Sequence, residues 1–159
     1  MAWCFRRNMG ARERGAEAVE FALILPVFLT LVFGIVDFGY MINRDTMINN
    51  ASREGARQGS VNTDPNAIEC VVRRSLATVE PVGAGTNCRP TGTPKVTVTI
   101  TCRKPDNVTA CTGTFPTDAL SGGTVIVKVD YTHLWITPVG STIRSGGLPL
   151  SRTTEMRIE

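Results

Sequence analysis

Residues Phe21–Val36 form sixteen consecutive positions without a charge, and the run extends to Ile42 with Asp37 as its single ionisable member. A bilayer core of about 30 Å needs roughly 20 apolar helical residues, so this segment is long enough to span. A secretory signal would need a small-x-small cleavage site after the apolar run. Asp37-Phe38-Gly39-Tyr40 offers none, so a retained membrane helix is the favoured reading. Pro26 lies one turn into the run, a position that membrane helices tolerate.

Charge confirms the asymmetry of the chain. The 159 residues carry a formal net charge of +3. Residues 1–15 hold that excess alone, with Arg6, Arg7, Arg12 and Arg14 against Glu13, which leaves 13 basic and 13 acidic groups beyond them. A nucleic-acid binder would carry its basic excess on the folded part, so no nucleic-acid partner is expected. Basic residues before the span slightly outnumber Arg44, Arg53 and Arg57 after it, which puts the N-terminus in the cytoplasm.

Cysteine placement agrees. Cys4 precedes the apolar run, whereas Cys70, Cys88, Cys102 and Cys111 follow it, separated by 17, 13 and 8 residues. There is no C-x-x-C pair and His133 is the only histidine, so the close ligand pairs of a structural zinc site are missing. Neither a metal nor another cofactor is expected. Four cysteines in an extracytoplasmic domain read as two disulfides. Three pairings are possible; Cys70–Cys88 with Cys102–Cys111 closes the shortest loops.

Periodicity predicts an α+β fold. One continuous helix is expected over about Ala16–Gln58, roughly 60 Å long at about 1.5 Å per residue. Its second half carries an apolar stripe of Phe38, Met41, Ile42, Ile48, Ala51 and Ala56. Asp64-Pro65 starts a second helix to about Val79, as an N-cap followed by proline. Residues 80–94 read as loop. Lys95–Cys102 and Thr124–Leu134 alternate as strands, with residues 104–123 and 141–147 as loops, and Leu148–Ile158 is a third strand. The expected divisions are a basic leader over 1–15, a helix over 16–60 that is transmembrane in its first half, and an α+β domain over 61–159.

The most specific local pattern is Arg14-Gly15-Ala16-Glu17-Ala18-Val19-Glu20-Phe21. A basic leader ends in glycine, a glutamate follows at the fifth residue after it, and the apolar helix has then begun. The pattern resembles the processing site of type IV pilin-like precursors, cut after the glycine on the cytoplasmic side. Arg14–Gly59, with Phe33-Gly-Ile-Val-Asp-Phe-Gly39 and Ala51-Ser-Arg-Glu-Gly-Ala-Arg57, is similar to the TadE-like family, pseudopilins of the tight-adherence (Tad, type IVc) pilus. The resemblance carries Gly15, Ala16, Glu20 and Phe21 over as processing-site residues. It implies a pilin-like fold and a place in the inner membrane, with the C-terminal domain outside and possible incorporation in an extracellular pilus. The implied partners are a prepilin peptidase, other pilin or pseudopilin subunits, an inner-membrane assembly platform and its ATPase motor. The hundred-residue C-terminal part exceeds the short major pilin of that system, which points to a minor subunit.

Two other classes stay in view. An enzyme would need a constellation, and His133, Ser141, Ser145, Asp118 and Asp130 form none in sequence, so catalysis is not expected. A membrane-anchored adhesin or binding module outside any fibre is compatible with the Thr-rich C-terminal part, although sheet propensity explains those threonines without a ligand. Glu17 and Glu20 would then be interfacial caps of a membrane helix. Asn107-Val-Thr109 matches a glycosylation acceptor pattern by chance.

Overall fold

The computed structural model describes residues 10–111 and 115–159. Cys4, Arg6 and Arg7 of the basic leader lie outside the described residues. The elements in chain order are α1 (Gly10–Val61), α2 (Pro65–Ser75), β1 (Val96–Arg103), α3 (Phe115–Asp118), β2 (Thr124–His133), α4 (Pro138–Ile143) and β3 (Leu148–Arg157). The strands form one antiparallel sheet in the order β1-β2-β3. The fold is α+β.

α1 contains 52 residues, or about 78 Å of helix at 1.5 Å per residue. It is longer than expected at both ends. It begins at Gly10, ahead of Ala16, and runs through Gly59 to Val61. Arginine and glutamate are good helix formers, so the Arg-Glu-Arg stretch before Gly15 does not stop it. Pro26 lies inside the helix, and Thr30 Oγ1 donates to the Pro26 carbonyl at 2.8 Å.

The two halves of α1 live in different surroundings. From Gly15 to Val36 nearly every residue is exposed. From Asp37 onward one face is buried, at Asp37, Ile48, Ala51, Ser52, Gly55, Ala56 and Gly59, spaced to stay on one side of a helix. The expected stripe is corrected here. Ile48, Ala51 and Ala56 are buried as expected, but Phe38 and Ile42 point outward, 58% and 60% exposed, and Ser52, Gly55 and Gly59 join the buried side, because the sheet approaches the helix backbone closely.

Gly55 shows how close. A Cβ there would lie 2.4 Å from Val72 Cγ2 and 3.2 Å from Val127 Cγ1. One turn on, a Cβ at Gly59 would lie 2.8 Å from Val125 Cγ2. β2 therefore runs antiparallel along α1, pairing Val125 with Gly59, Val127 with Gly55 and His133 with Tyr40. Val125, Val127 and Val129 are fully buried against Ile48, Ile68, Val72 and Leu76. Further contacts secure β3 to α1: Ser52 Oγ to Thr154 Oγ1 at 2.8 Å, and Arg152 Nε to Asp45 Oδ1 at 2.9 Å.

α2 starts as expected, with Asp64 Oδ1 accepting from the Asn66 amide at 2.9 Å. It ends at Ser75 rather than Val79. Bonds from Leu76 to Arg73 and from Val79 to Leu76 tighten the chain into turns beyond that point. A buried ion network then ties α2 to the loop and β1. Arg73 bridges Glu69 and Glu80, each at 2.8 Å, and Arg89 meets Glu69 with two bonds of 3.0 Å. Glu80 also accepts from the Lys95 amide. Removing Arg73, the buried member between the two glutamates, strands buried charge and costs about 3–5 kcal/mol.

The strands fall within a residue of their expected limits. Short helices appear at Phe115–Asp118, inside the stretch expected as loop over 104–123, and at Pro138–Ile143, which runs into the stretch expected as loop over 141–147. Both are too short for a periodic signal.

Candidate functional site

The residues singled out at the leader junction sit on the free end of α1. Gly15, Ala16, Glu17, Glu20 and Phe21 are exposed, and nothing approaches within 4 Å of a Cβ placed on Gly15. Among the described residues, no ion pair involves Glu17 or Glu20. The Gly15–Ala16 peptide bond lies within helix. A protease needs that bond extended, and glycine is about 1 kcal/mol less favourable in a helix interior than alanine, so helix opening is cheapest there.

Beyond the junction the apolar rod is bare. Leu23, Val27, Leu31 and Ile35 are exposed at i, i+4 spacing, and Phe21, Ile24 and Phe28 cover another side. No part of the most apolar 18-residue window is buried. A helix that is apolar all round and untouched by its own protein needs lipid or neighbouring helices as surroundings.

The rod ends at a latch that sequence reading did not find. Asp37 is 2% exposed. Its Oδ1 accepts from the backbone amides of Ile136 and Thr137, both at 3.1 Å, and its Oδ2 accepts from Thr137 Oγ1 at 2.5 Å. The β2–α4 loop thus supplies three donors to the single carboxylate of the apolar run. Gly140 makes the approach possible, since a Cβ there would lie 2.6 Å from Asp37 Oδ2 and 2.7 Å from the Trp135 ring. The available signal was Asp37 itself: a lone charge in an apolar run requires a partner.

Next to the latch, His133 is fully buried, with its ring centroid 6.0 Å from Tyr40 and 5.8 Å from Trp135. Among the described residues neither ring nitrogen has a hydrogen-bond partner. Burial holds its pKa below the ordinary histidine value, against the pull of Asp37.

The remaining candidates do not converge. Asp130 pairs with Lys128 at 3.1 Å, and Ser141 Oγ donates to the Pro138 carbonyl at 2.8 Å. Among the described residues no group of three His, Cys, Asp or Glu side chains could hold a metal ion. Cys70 and Cys88 lie at disulfide distance, Cα–Cα 4.6 Å, as do Cys102 and Cys111 at 5.4 Å. Asn107 adopts a left-handed backbone (φ 57°) in the turn closed by its amide on the Lys104 carbonyl, a conformation asparagine tolerates.

A bare apolar helix carrying a small α+β cap on its distal half is an arrangement that fits anchoring in a membrane by one helix. Residues 15–57, most of α1, match the family model described as TadE-like protein, so this stretch of the chain is similar to that family. The match begins at Gly15 and ends inside the half of α1 that carries the cap. No curated protein and no solved structure matches the chain.

Proposed function

We propose that this chain is a minor pseudopilin of a tight-adherence pilus, cut after Gly15 by a prepilin peptidase and assembled through its bare helix. The observation that carries the reading is the coincidence of three boundaries at one place. The family match opens at Gly15, the net positive charge ends there, and the unburied apolar rod starts within a few residues of it.

Each residue has a physical role in this proposal. Gly15 lets the peptide bond open and enter a narrow cleft. Cleavage leaves the ammonium of Ala16 as a new cation. Glu20, exposed and without an ion pair among the described residues, is the carboxylate that a neighbouring subunit's Ala16 ammonium neutralises when the rods bundle. Such a pair in partly desolvated surroundings sets the axial register between subunits. Phe21 begins the apolar surface that packs. The assembly platform and motor act on the membrane-held form, and the cap stays outside the inner membrane.

Intact-mass measurement of the mature protein tests the cut. Chain beginning at Ala16 is expected, and chain retaining Arg14 in sheared fibres overturns the reading. Gly15→Val should leave uncut precursor in the membrane. Glu20→Ala should be cut and inserted normally but fail to enter fibres; normal incorporation of that variant would remove the role given to Glu20.

A further inference from the structure

We propose that the base of the cap, formed by the loop between β2 and α4 with the cations around it, is a second membrane-binding surface that docks on anionic phospholipid headgroups. The inference rests on α1 spanning the bilayer, and the experiment below separates the two.

Depth gives the first argument. Phe21 to Asp37 rises about 24 Å at about 1.5 Å per residue, short of a hydrocarbon core of about 30 Å. The missing length corresponds to the next helical turn, where Phe38 and Ile42 are exposed and apolar. Extension in the other direction would draw Glu20 into hydrocarbon, at a cost of several kcal/mol. The loop, however, is seated on α1 at the level of Gly34, Asp37 and Phe38, where Trp135, Val139 and Gly140 close a small apolar cavity against the helix. The base of the cap therefore lies at the depth where the bilayer must still continue.

Composition gives the second. Leu134 and Ile136 project from the loop, 62% and 55% exposed. Trp135 lies between them, with Nε1 donating to the Arg144 carbonyl at 2.8 Å; an indole with one apolar side and one satisfied polar tip suits the membrane interface. The backbone amides that would be unfavourable there are taken by Asp37. The latch that shields the carboxylate from lipid thus also shields the loop.

Charge gives the third. An open cleft of about 460 Å³ on this base is lined by Tyr40, Arg44, Lys95, Tyr131, Thr132 and Leu134 among others, and no carboxylate lines it. Arg44 stacks over the Tyr40 ring, 4.5 Å from its centroid, and among the described residues neither Arg44 nor Lys95 forms a salt bridge. Arg144 is exposed beside Trp135. Nearby acids are committed elsewhere: Asp37 to the loop amides, Asp130 to Lys128 and Glu80 to Arg73. Arg44 also donates to the Thr78 carbonyl at 3.3 Å and to the Tyr40 hydroxyl, so its charge is held in place without being neutralised, and cations of this kind around an apolar wedge match a layer of phosphate groups over acyl chains.

The test uses the full chain in vesicles of mixed phosphatidylcholine and phosphatidylglycerol. With Trp3→Phe, Trp135 is the only indole left. Its emission should be largely lost with lipids brominated near the headgroup end of the acyl chain, and recovered in the Leu134→Glu, Ile136→Glu double variant. A second chain carrying Trp3→Phe, Trp135→Phe and Phe28→Trp reports the span through lipids brominated deep in the chain. Quenching at position 28 without quenching of Trp135 overturns the docking surface and leaves the span intact; loss of both overturns the anchoring reading as well. Trp135 emission that recovers as the protein-to-lipid ratio rises would assign the surface to a second copy and overturn the proposal. Omitting phosphatidylglycerol, or combining Lys95→Gln with Arg144→Gln, should weaken the shallow quenching, and indifference to both changes would overturn the choice of an anionic partner.

Discussion

His133 shows how much one residue can hold in reserve. It is buried, neither nitrogen has a hydrogen-bond partner among the described residues, and the charges of Asp37 and Arg44 act on it in opposite directions. Burial lowers its folded-state pKa below the unfolded value of about 6.5. Between those two values the unfolded chain binds more protons than the folded one, so stability is full above about pH 6.5 and is lost as pH falls through that window. Thermal melts of the detergent-solubilised protein should therefore show a lower Tm at about pH 5.5 than at about pH 7.5. His133→Phe should flatten that difference, and an unchanged slope in the variant would assign it to other groups. His133 was legible in sequence only as an isolated histidine near a strand end. Its burial comes from Tyr40 and Trp135, residues that lie far from each other in the chain, and no local pattern encodes such a meeting.

At the scale of elements, α1 and β2 determine the fold through small residues. Gly34, Gly39 and Gly55 look alike in sequence as isolated glycines in a helical run, yet only Gly55 has neighbours within 4 Å of a built Cβ. Gly55→Val should overpack the α1–α2–β2 junction and destabilise the cap by about 1–3 kcal/mol. Gly39→Ala, which meets nothing, should be neutral or stabilise by up to about 1 kcal/mol. Chemical denaturation of the two variants side by side would check the contrast, and equal effects would contradict the packing account. Element existence was largely readable in advance, because Lys95–Cys102 and Thr124–Leu134 alternate cleanly and Asp64-Pro65 marks a helix start. The inward face of α1 was not. Ile48, Ala51 and Ala56 of the expected stripe do face inward, but the rest of the buried side is Ser52, Gly55 and Gly59, which carry almost no hydropathy signal, whereas Phe38 and Ile42 carry a strong one and turn outward. The same weakness hid α4, whose six residues include glycine, proline and serine and whose position depends on Asp37.

For the whole molecule, the cap is small and its covalent ties matter accordingly. The cysteine pairs span sequence separations of 18 and 9 residues. With both pairs bridged, each should contribute about 2–4 kcal/mol, so reduction should lower the cap's Tm well below that of the oxidised protein. Cys102→Ser should reproduce part of that loss while leaving membrane insertion unchanged. Identical melts with and without reductant would reject the bridges.

The antiparallel alignment of β2 along α1 has a mechanical consequence. The cap grips the helix at both ends of their shared length, through Asp37 at one end and through Gly59 and the Glu159 amide on the Ser60 carbonyl at the other. Two grips so far apart on one rod leave no free swivel between them. Any torque or thrust delivered to the greasy stem must turn or lift the head with it, as a key turns with its bow.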